Sequence, residues 1–179
     1  MVALAGPPGA GKSTLADVLV RERDALVVPM DGFHLDNRIL DARGLRARKG
    51  APETFDAAGF LALLRRVRGG EDVVAPVFDR ARDLAVAGAS HVPARAKLVV
   101  VEGNYLLLDR PVWREMAALF DLTVLLSPPM AVLEERLVRR WLDHGLAPGD
   151  ARARAMGNDI PNARTVLRES AGAHLTIDG

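Results

Sequence analysis

Val2-Ala3-Leu4-Ala5-Gly6-Pro7-Pro8-Gly9-Ala10-Gly11-Lys12-Ser13-Thr14, at the start of a 179-residue chain, is the stretch that decides the fold. Its four leading apolar residues suit a buried strand. Gly6 to Ser13 fits G-x-x-x-x-G-K-[ST], and Leu15, Val18 and Leu19 then recur at helical spacing. Strand, glycine loop and helix are the order a phosphate-binding loop requires. The glycines let the backbone curl into a nest of N–H donors, and the helix aims its positive end at the same place. Lys12 reaches the β- and γ-phosphates, and the Ser13 hydroxyl is placed to ligate Mg²⁺. Gly6, Pro7, Pro8, Gly9, Ala10, Gly11, Lys12, Ser13 and Thr14 are therefore the expected nucleotide-binding residues, with ATP as donor and Mg²⁺ as its cation.

Composition sharpens this reading. Lys12, Lys49 and Lys97 are the only lysines among 24 basic residues, so a chain that otherwise uses arginine keeps a lysine in the loop. A compact ammonium acts there as a point charge between phosphate oxygens. The chain has no cysteine, which excludes disulfides and thiolate metal sites, and its four histidines are scattered without zinc-ligand spacing. It shows no apolar run long enough to span a bilayer and no signal-peptide pattern, so a cytoplasmic protein is expected. Met1 lies almost at the first strand, which leaves open a longer native N-terminus. A net charge of +1 argues against general nucleic-acid binding. The charge is unevenly placed: Arg38, Arg43, Arg46, Arg48 and Lys49 face only Asp41, and a second basic excess runs from Arg136 to Arg168. These are solvated faces in an arbitrary protein, but beside a phosphate loop they are candidates for contacting an anionic substrate or nucleotide.

Further strands are expected at 25–29, 73–78, 98–101, 122–126 and 174–177. Helices are expected from Asp56 as N-cap to about Val67, from Pro111 to about Leu119, and from Ser127-Pro128 to about His144. Shorter ones fall near 149–156 and 160–169, with a loop or broken helix at 35–50. Alternating strands and helices over this length imply an α/β, three-layer P-loop fold. Its sheet would be mainly parallel and five-stranded. The chain reads as one domain, residues 1–179, with a small helical lid at about 136–160.

In open parallel sheets ligands sit beyond the carboxyl ends of the strands. Lys12 with Ser13, then Asp31, then Glu102 fall at such ends. Asp31 is the candidate general base, with Gly32 permitting close approach of a ligand. Glu102 is the candidate for Mg²⁺ or acceptor contact. The bland alternatives are a turn aspartate and a strand-end carboxylate. Val28-Pro29-Met30-Asp31-Gly32-Phe33-His34 resembles the strand-two aspartate motif of the uridine kinase, phosphoribulokinase and bacterial pantothenate kinase superfamily. Ala51-Pro52-Glu53-Thr54-Phe55-Asp56 is similar to the uridine kinase proline-phenylalanine-aspartate segment, and Val101-Glu102-Gly103 resembles the third-strand Glu-Gly motif. Arg136 to Arg140 look like an arginine-bearing lid. The resemblance implies a kinase in which Asp31, Lys12, Glu102, Arg136 and Arg140 are catalytic, Ser13 and Glu102 hold Mg²⁺, and Arg139 joins the nucleotide contacts. Arg136 and Arg140 lie four apart on one helix face, although Glu135, Arg139 and Asp143 also pair at that spacing.

With Met30-Asp31-Gly32-Phe33-His34 and Arg48-Lys49-Gly50-Ala51-Pro52 together, the chain resembles bacterial proteins labelled nucleoside or fructose (sugar-transport-associated) kinases. Pro76-Val77-Phe78-Asp79-Arg80 stands where uridine kinases carry a Tyr-Asp-His type segment. Arg80 would meet the acceptor or pair with Asp79 or Asp83. Asn158, Asp159, Pro161 and Asn162 look like a subgroup motif near the acceptor or the nucleotide, while a capped helix start at Asp159 explains them equally. Asp31, Phe33, His34, Lys49, Arg80, Glu102, Asn104, Tyr105 and Asn158 are the expected substrate-binding set, with Phe78 as a further stacking surface. The expected partner is a small hydroxylated molecule, with no nucleic acid and no membrane; a homodimer is left open. The acceptor stays open among nucleoside, ketose, polyol, sugar phosphate and pantothenate. The alternative is a P-loop ATPase or switch driving a protein partner. Against it, the Asn/Thr-Lys-x-Asp motif of guanine switches is missing, and Asp41-Ala42-Arg43-Gly44 lies in a polar stretch rather than after a strand.

Overall fold

Alternation along the strands sets the layers. In the computed structural model, which describes residues 1–178, β1 (Val2–Ala5) turns Ala3 and Ala5 to one face of a sheet and Leu4 to the other. β2 (Leu26–Pro29) follows α1 (Lys12–Arg23). The remaining strands of this sheet are β5 (Val99–Gly103), β6 (Leu122–Leu126) and β7 (Leu175–Ile177). They pair in parallel in the order β2-β5-β1-β6-β7. On one face Val101 and Met30 meet Phe60 and Leu64 of α3 (Ala57–Arg68), whose N-cap Asp56 accepts from the Gly59 amide at 2.8 Å. On the other, Leu4, Val100 and Val124 meet Leu133 and Leu137 of α4 (Met130–Asp143) and Ile160 of α6 (Ile160–Glu169). Two apolar faces covered by helices make the three-layer α/β fold expected from the sequence.

Between β2 and α3 the chain makes a 3₁₀ turn, Met30–Phe33, and the short helix α2 (Asn37–Ala42), then further turns. Four local expectations are corrected. The segment at 73–92 is an antiparallel hairpin of β3 (Val73–Asp79) and β4 (Leu84–Val92). The second strand carries little sequence signal because it is half exposed, has small residues and is interrupted by Gly88. Residues 111–119 are two 3₁₀ turns rather than a helix. A three-residue step buries Trp113 against Tyr105, ring centres 5.4 Å apart, and Met116 in the core, so burial overrides helix propensity.

α4 starts at Met130, not at Ser127-Pro128. Pro129 restricts the residue before it to extended backbone, which keeps Pro128 out of the helix. Finally, Asp159 is no N-cap. α5 (Pro148–Arg154) runs through a π-helical turn, Ala155–Asp159, into α6 without a break. Pro161 lacks an amide and crowds the carbonyl four residues back, and the wider turn relieves both.

Candidate active site

Gly11 caps α1 at φ 94°, a left-handed conformation suited to glycine, and no side chain caps that helix. Its first amides thus point, unblocked, into a cleft of about 980 Å³ beyond the carboxyl edge of the sheet. Pro8 to Thr14 line this cleft, while Gly6 and Pro7 lie behind it. Lys12, only 8% exposed, donates to the carbonyls of Gly6 and Pro7, each at 2.9 Å, and to Asn104 Oδ1 at 2.8 Å. Its ammonium has three donors, so all are engaged. Burial lowers the Lys12 pKa to about 8 despite the attraction of Glu102 and Asp31. Asn104, expected at the acceptor, is thus bonded to the loop lysine.

The register sets Glu102 between Leu4 of β1 and Pro29 of β2, one residue before β5 ends. Ser13 Oγ lies 3.4 Å from Glu102 Oε2. Burial raises the Glu102 pKa, opposed by Lys12. No cluster of three His, Cys, Asp or Glu able to hold a metal occurs among the described residues. A hydroxyl beside one carboxylate suits Mg²⁺, which takes few protein ligands and keeps water and nucleotide oxygens.

Asp31 lines the same cleft, in the turn after β2, and its Oδ2 accepts from Arg80 at 2.8 Å. Arg80 therefore pairs with neither Asp79 nor Asp83. Gly32 serves packing rather than ligand approach: a Cβ there would stand 2.2 Å from the Pro76 carbonyl oxygen of β3. His34 Nδ1 lies 2.8 Å from the Asp31 carbonyl, which only accepts, so the ring is protonated on that nitrogen. Burial lowers the His34 pKa. The ring stands 4.1 Å from Phe55 and 4.6 Å from Phe78, and all three line the cleft.

Lys49 Nζ sits 5.0 Å over Phe78 and donates to Asn37 Oδ1 at 2.7 Å and Asp83 Oδ1 at 2.8 Å. Asn158 Nδ2 donates to the Lys49 carbonyl at 2.7 Å. Two expected residues are absent from the wall. Phe33 packs on Phe60 in the core, ring centres 4.7 Å apart. Tyr105 is fully buried and donates its hydroxyl to the Gly50 carbonyl at 2.6 Å. Burial pushes its pKa up.

On α4, Arg136 and Arg140 face the cleft, Arg136 donating to the Gly9 carbonyl at 3.3 Å. Arg140 pairs at 3.0 Å with Asp159, which also accepts from Trp141 Nε1 at 2.6 Å. Arg139 turns away and pairs with Asp143 at 3.0 Å, so it does not join the loop. Asn37, Asp83 and Trp141 support the site without a signal in the sequence, because their role lies in contacts 12 to 46 residues away. Asp83 carried one local signal, as an aspartate in a hairpin turn at φ 53°.

Comparison with known proteins identifies the family. The sequence profile of the Phosphoribulokinase / Uridine kinase family matches residues 1–146. A solved structure of a candidate fructose transport system kinase from Silicibacter sp. TM1040 has a TM-score of 0.95 and 53% identity, covering 98% of this chain and 88% of that one. The uncharacterized protein YggC of Escherichia coli strain K12 is 42% identical over 185 residues, with 99% of this chain and 77% of the relative covered. A candidate uridine kinase of Schizosaccharomyces pombe is 34% identical over 177 residues, covering 90% and 75%. Loop, strand-end carboxylates, fold and sequence relationship agree: the chain belongs to the phosphoribulokinase / uridine kinase family of ATP-dependent small-molecule kinases.

Proposed function

We propose that this protein transfers the γ-phosphoryl group of ATP to a hydroxyl of a nucleoside or a sugar. The observation that carries the reading is one cleft lined both by the phosphate loop and by Asp31, together with aromatic and amide side chains. Phosphoryl transfer asks the protein mainly to position two reactants and to neutralise charge. The loop amides and Lys12 hold the triphosphate. Ser13 and Glu102 would hold Mg²⁺, which offsets charge between the β- and γ-phosphates. Asp31 keeps one oxygen on Arg80 and offers the other to the acceptor hydroxyl, as general base. Arg136 and Arg140 stand at the mouth of the cleft, where closure of the helical segment around 136–160 brings them to the transferring group and excludes water.

The test is an acceptor screen over nucleosides, ketoses and polyols, measuring ADP and phosphorylated product together. One product per ADP is expected. Asp31→Asn should retain ATP binding and lose about 10²–10⁴ in kcat, the range of a positioned base. ATP hydrolysis that needs no acceptor and rises with a protein partner would instead establish an ATPase or switch.

A further inference from the structure

One carboxylate of the cleft has no part in the transfer described above. Asp159 ends the π-turn Ala155–Asp159, lines the cleft and is 9% exposed. A charge so buried is costly unless it is paired and hydrogen-bonded. Trp141 Nε1 donates to its Oδ2 at 2.6 Å, and Arg140 Nη2 lies 3.0 Å from its Oδ1. The carboxylate is also rigidly mounted. Asn158, just before it, is buried and donates to the Lys49 carbonyl at 2.7 Å, and Ile160, just after it, is fully buried in the core. Single π-turns inside helices recur at functional sites, where they turn particular side chains to a new face.

Arg140 is held differently. Its side chain keeps 36% of its surface exposed, and an ion pair made by a half-exposed arginine adds little stability. Direction is what the pair provides. Arginine carries five N–H donors in a fixed fork, so contact through one terminal nitrogen leaves the others for a second oxyanion. The Trp141 ring, 5.4 Å from the Arg140 guanidinium, bounds it on one side. Arg154 stands 5.3 Å from the same ring, and Asp159 is the one carboxylate that pairs with either arginine among the described residues. From this position Arg140 acts on the phosphate loop. Burial is the main cause of the lowered Lys12 pKa, and the Arg140 charge lowers it further. One helical turn earlier, Arg136 reaches the Gly9 carbonyl at 3.3 Å, so this face of α4 runs along the loop.

We propose that Asp159 is a positioning residue that aims the Arg140 guanidinium at the γ-phosphate of bound ATP. This rests on the assignment of Arg140 to the transferring group above, and it adds the group that sets its direction. Without the carboxylate the arginine samples many rotamers, and freezing them on the nucleotide lowers affinity. ADP lacks the phosphate at which the arginine is aimed, so the contact is read in the difference between triphosphate and diphosphate.

The experiment is a double-mutant cycle on the full chain with Asp159→Asn, Arg140→Gln and the two combined. Titration calorimetry measures the Kd of Mg²⁺ with AMP-PNP, a non-hydrolysable ATP analogue, and of Mg²⁺ with ADP; thermal unfolding is recorded for each variant. Each single variant should weaken AMP-PNP about threefold or more, as for contacting residues, with ADP nearly unchanged. The double variant should bind AMP-PNP no more weakly than Arg140→Gln, because the carboxylate acts only through the arginine. Asp159→Ala repeats the cycle if the amide is not tolerated. Equal losses for ADP and AMP-PNP in Asp159→Asn, or losses that add in the double variant, would overturn the proposal. So would a lowered unfolding temperature with both nucleotide affinities unchanged, which assigns Asp159 to the packing of Trp141. An Arg140→Gln protein that binds AMP-PNP like wild type is a distinct result: it removes the arginine from the phosphates, and this inference with it.

Discussion

Lys12 shows how one side chain combines folding cost and chemistry. Its three donors are engaged by Gly6, Pro7 and Asn104, so a triphosphate must replace at least one of them. The Asn104 side chain is the partner free to swing, whereas the two carbonyls belong to the loop. With a pKa lowered to about 8, the folded protein holds this proton less tightly than the unfolded chain does. The burial cost is therefore full below pH 8 and is relieved as pH rises from there toward 10.5, the ordinary value. Nucleotide binding has the opposite interest, because it needs the ammonium. The ATP Kd should be flat below pH 8 and weaken about tenfold per unit above it. Calorimetric titrations between about pH 6.5 and 9.5 check this, and a Kd that does not change over that range would contradict it. Lys12→Ala should lose both the affinity and its pH dependence. The loop residues were legible individually because each role follows from residue type and spacing. Arg139 was not, since choosing between Asp143 and the cleft depends on which way its helix face turns.

At the scale of elements, the turn Met30–Phe33 and the β3–β4 hairpin act together. Gly32 passes so close to the Pro76 carbonyl that a methyl group would stand 2.2 Å from its oxygen. Gly32→Ala must push the turn off the hairpin, carrying Asp31 away from Arg80 and from the cleft. A loss of about 1–3 kcal/mol is expected, in the range of overpacked sites, together with a drop in kcat at unchanged ATP affinity. Urea unfolding and single-turnover kinetics measure the two effects. Wild-type kcat in a destabilised variant would show that the turn does not set Asp31. The helical segment after β6 has a comparable join: in its π-turn, Asn158 binds the Lys49 carbonyl while Asp159 holds Arg140 and Trp141. The sequence suggests two separate short helices here, near 149–156 and 160–169, with the second starting at Asp159. Only the packing shows that the helix widens rather than starts afresh.

For the whole molecule, the strand order is decisive. With β5 between β1 and β2, the sheet brings the loop after β1, Glu102 at the end of β5 and Asp31 after β2 to one edge, though Ser13 and Glu102 lie 89 residues apart. A ligand that binds across this edge stabilises only the folded state. ATP with Mg²⁺ at about 100 times its Kd should add about 2.7 kcal/mol, raising the unfolding temperature by about 5–10 °C for a chain of this size. Differential scanning fluorimetry measures it, and no shift at saturating nucleotide would deny the loop its ligand. No helix of the described residues is long and apolar enough to cross a membrane.

The sequence by itself determined the phosphate loop, the alternation of strands and helices, and the two strand-end carboxylates, because these depend on local backbone geometry and hydrophobic period. It also carried the family resemblance through four ordered motifs. Only the tertiary structure decided which polar groups are spent on one another. Arg80 meets Asp31, Lys49 meets Asp83, Tyr105 is consumed by the core, and Asn162 keeps an oxygen unpaired. Those outcomes depend on distances between residues far apart in the chain, set when two layers of helices close over the sheet, and no local pattern encodes them.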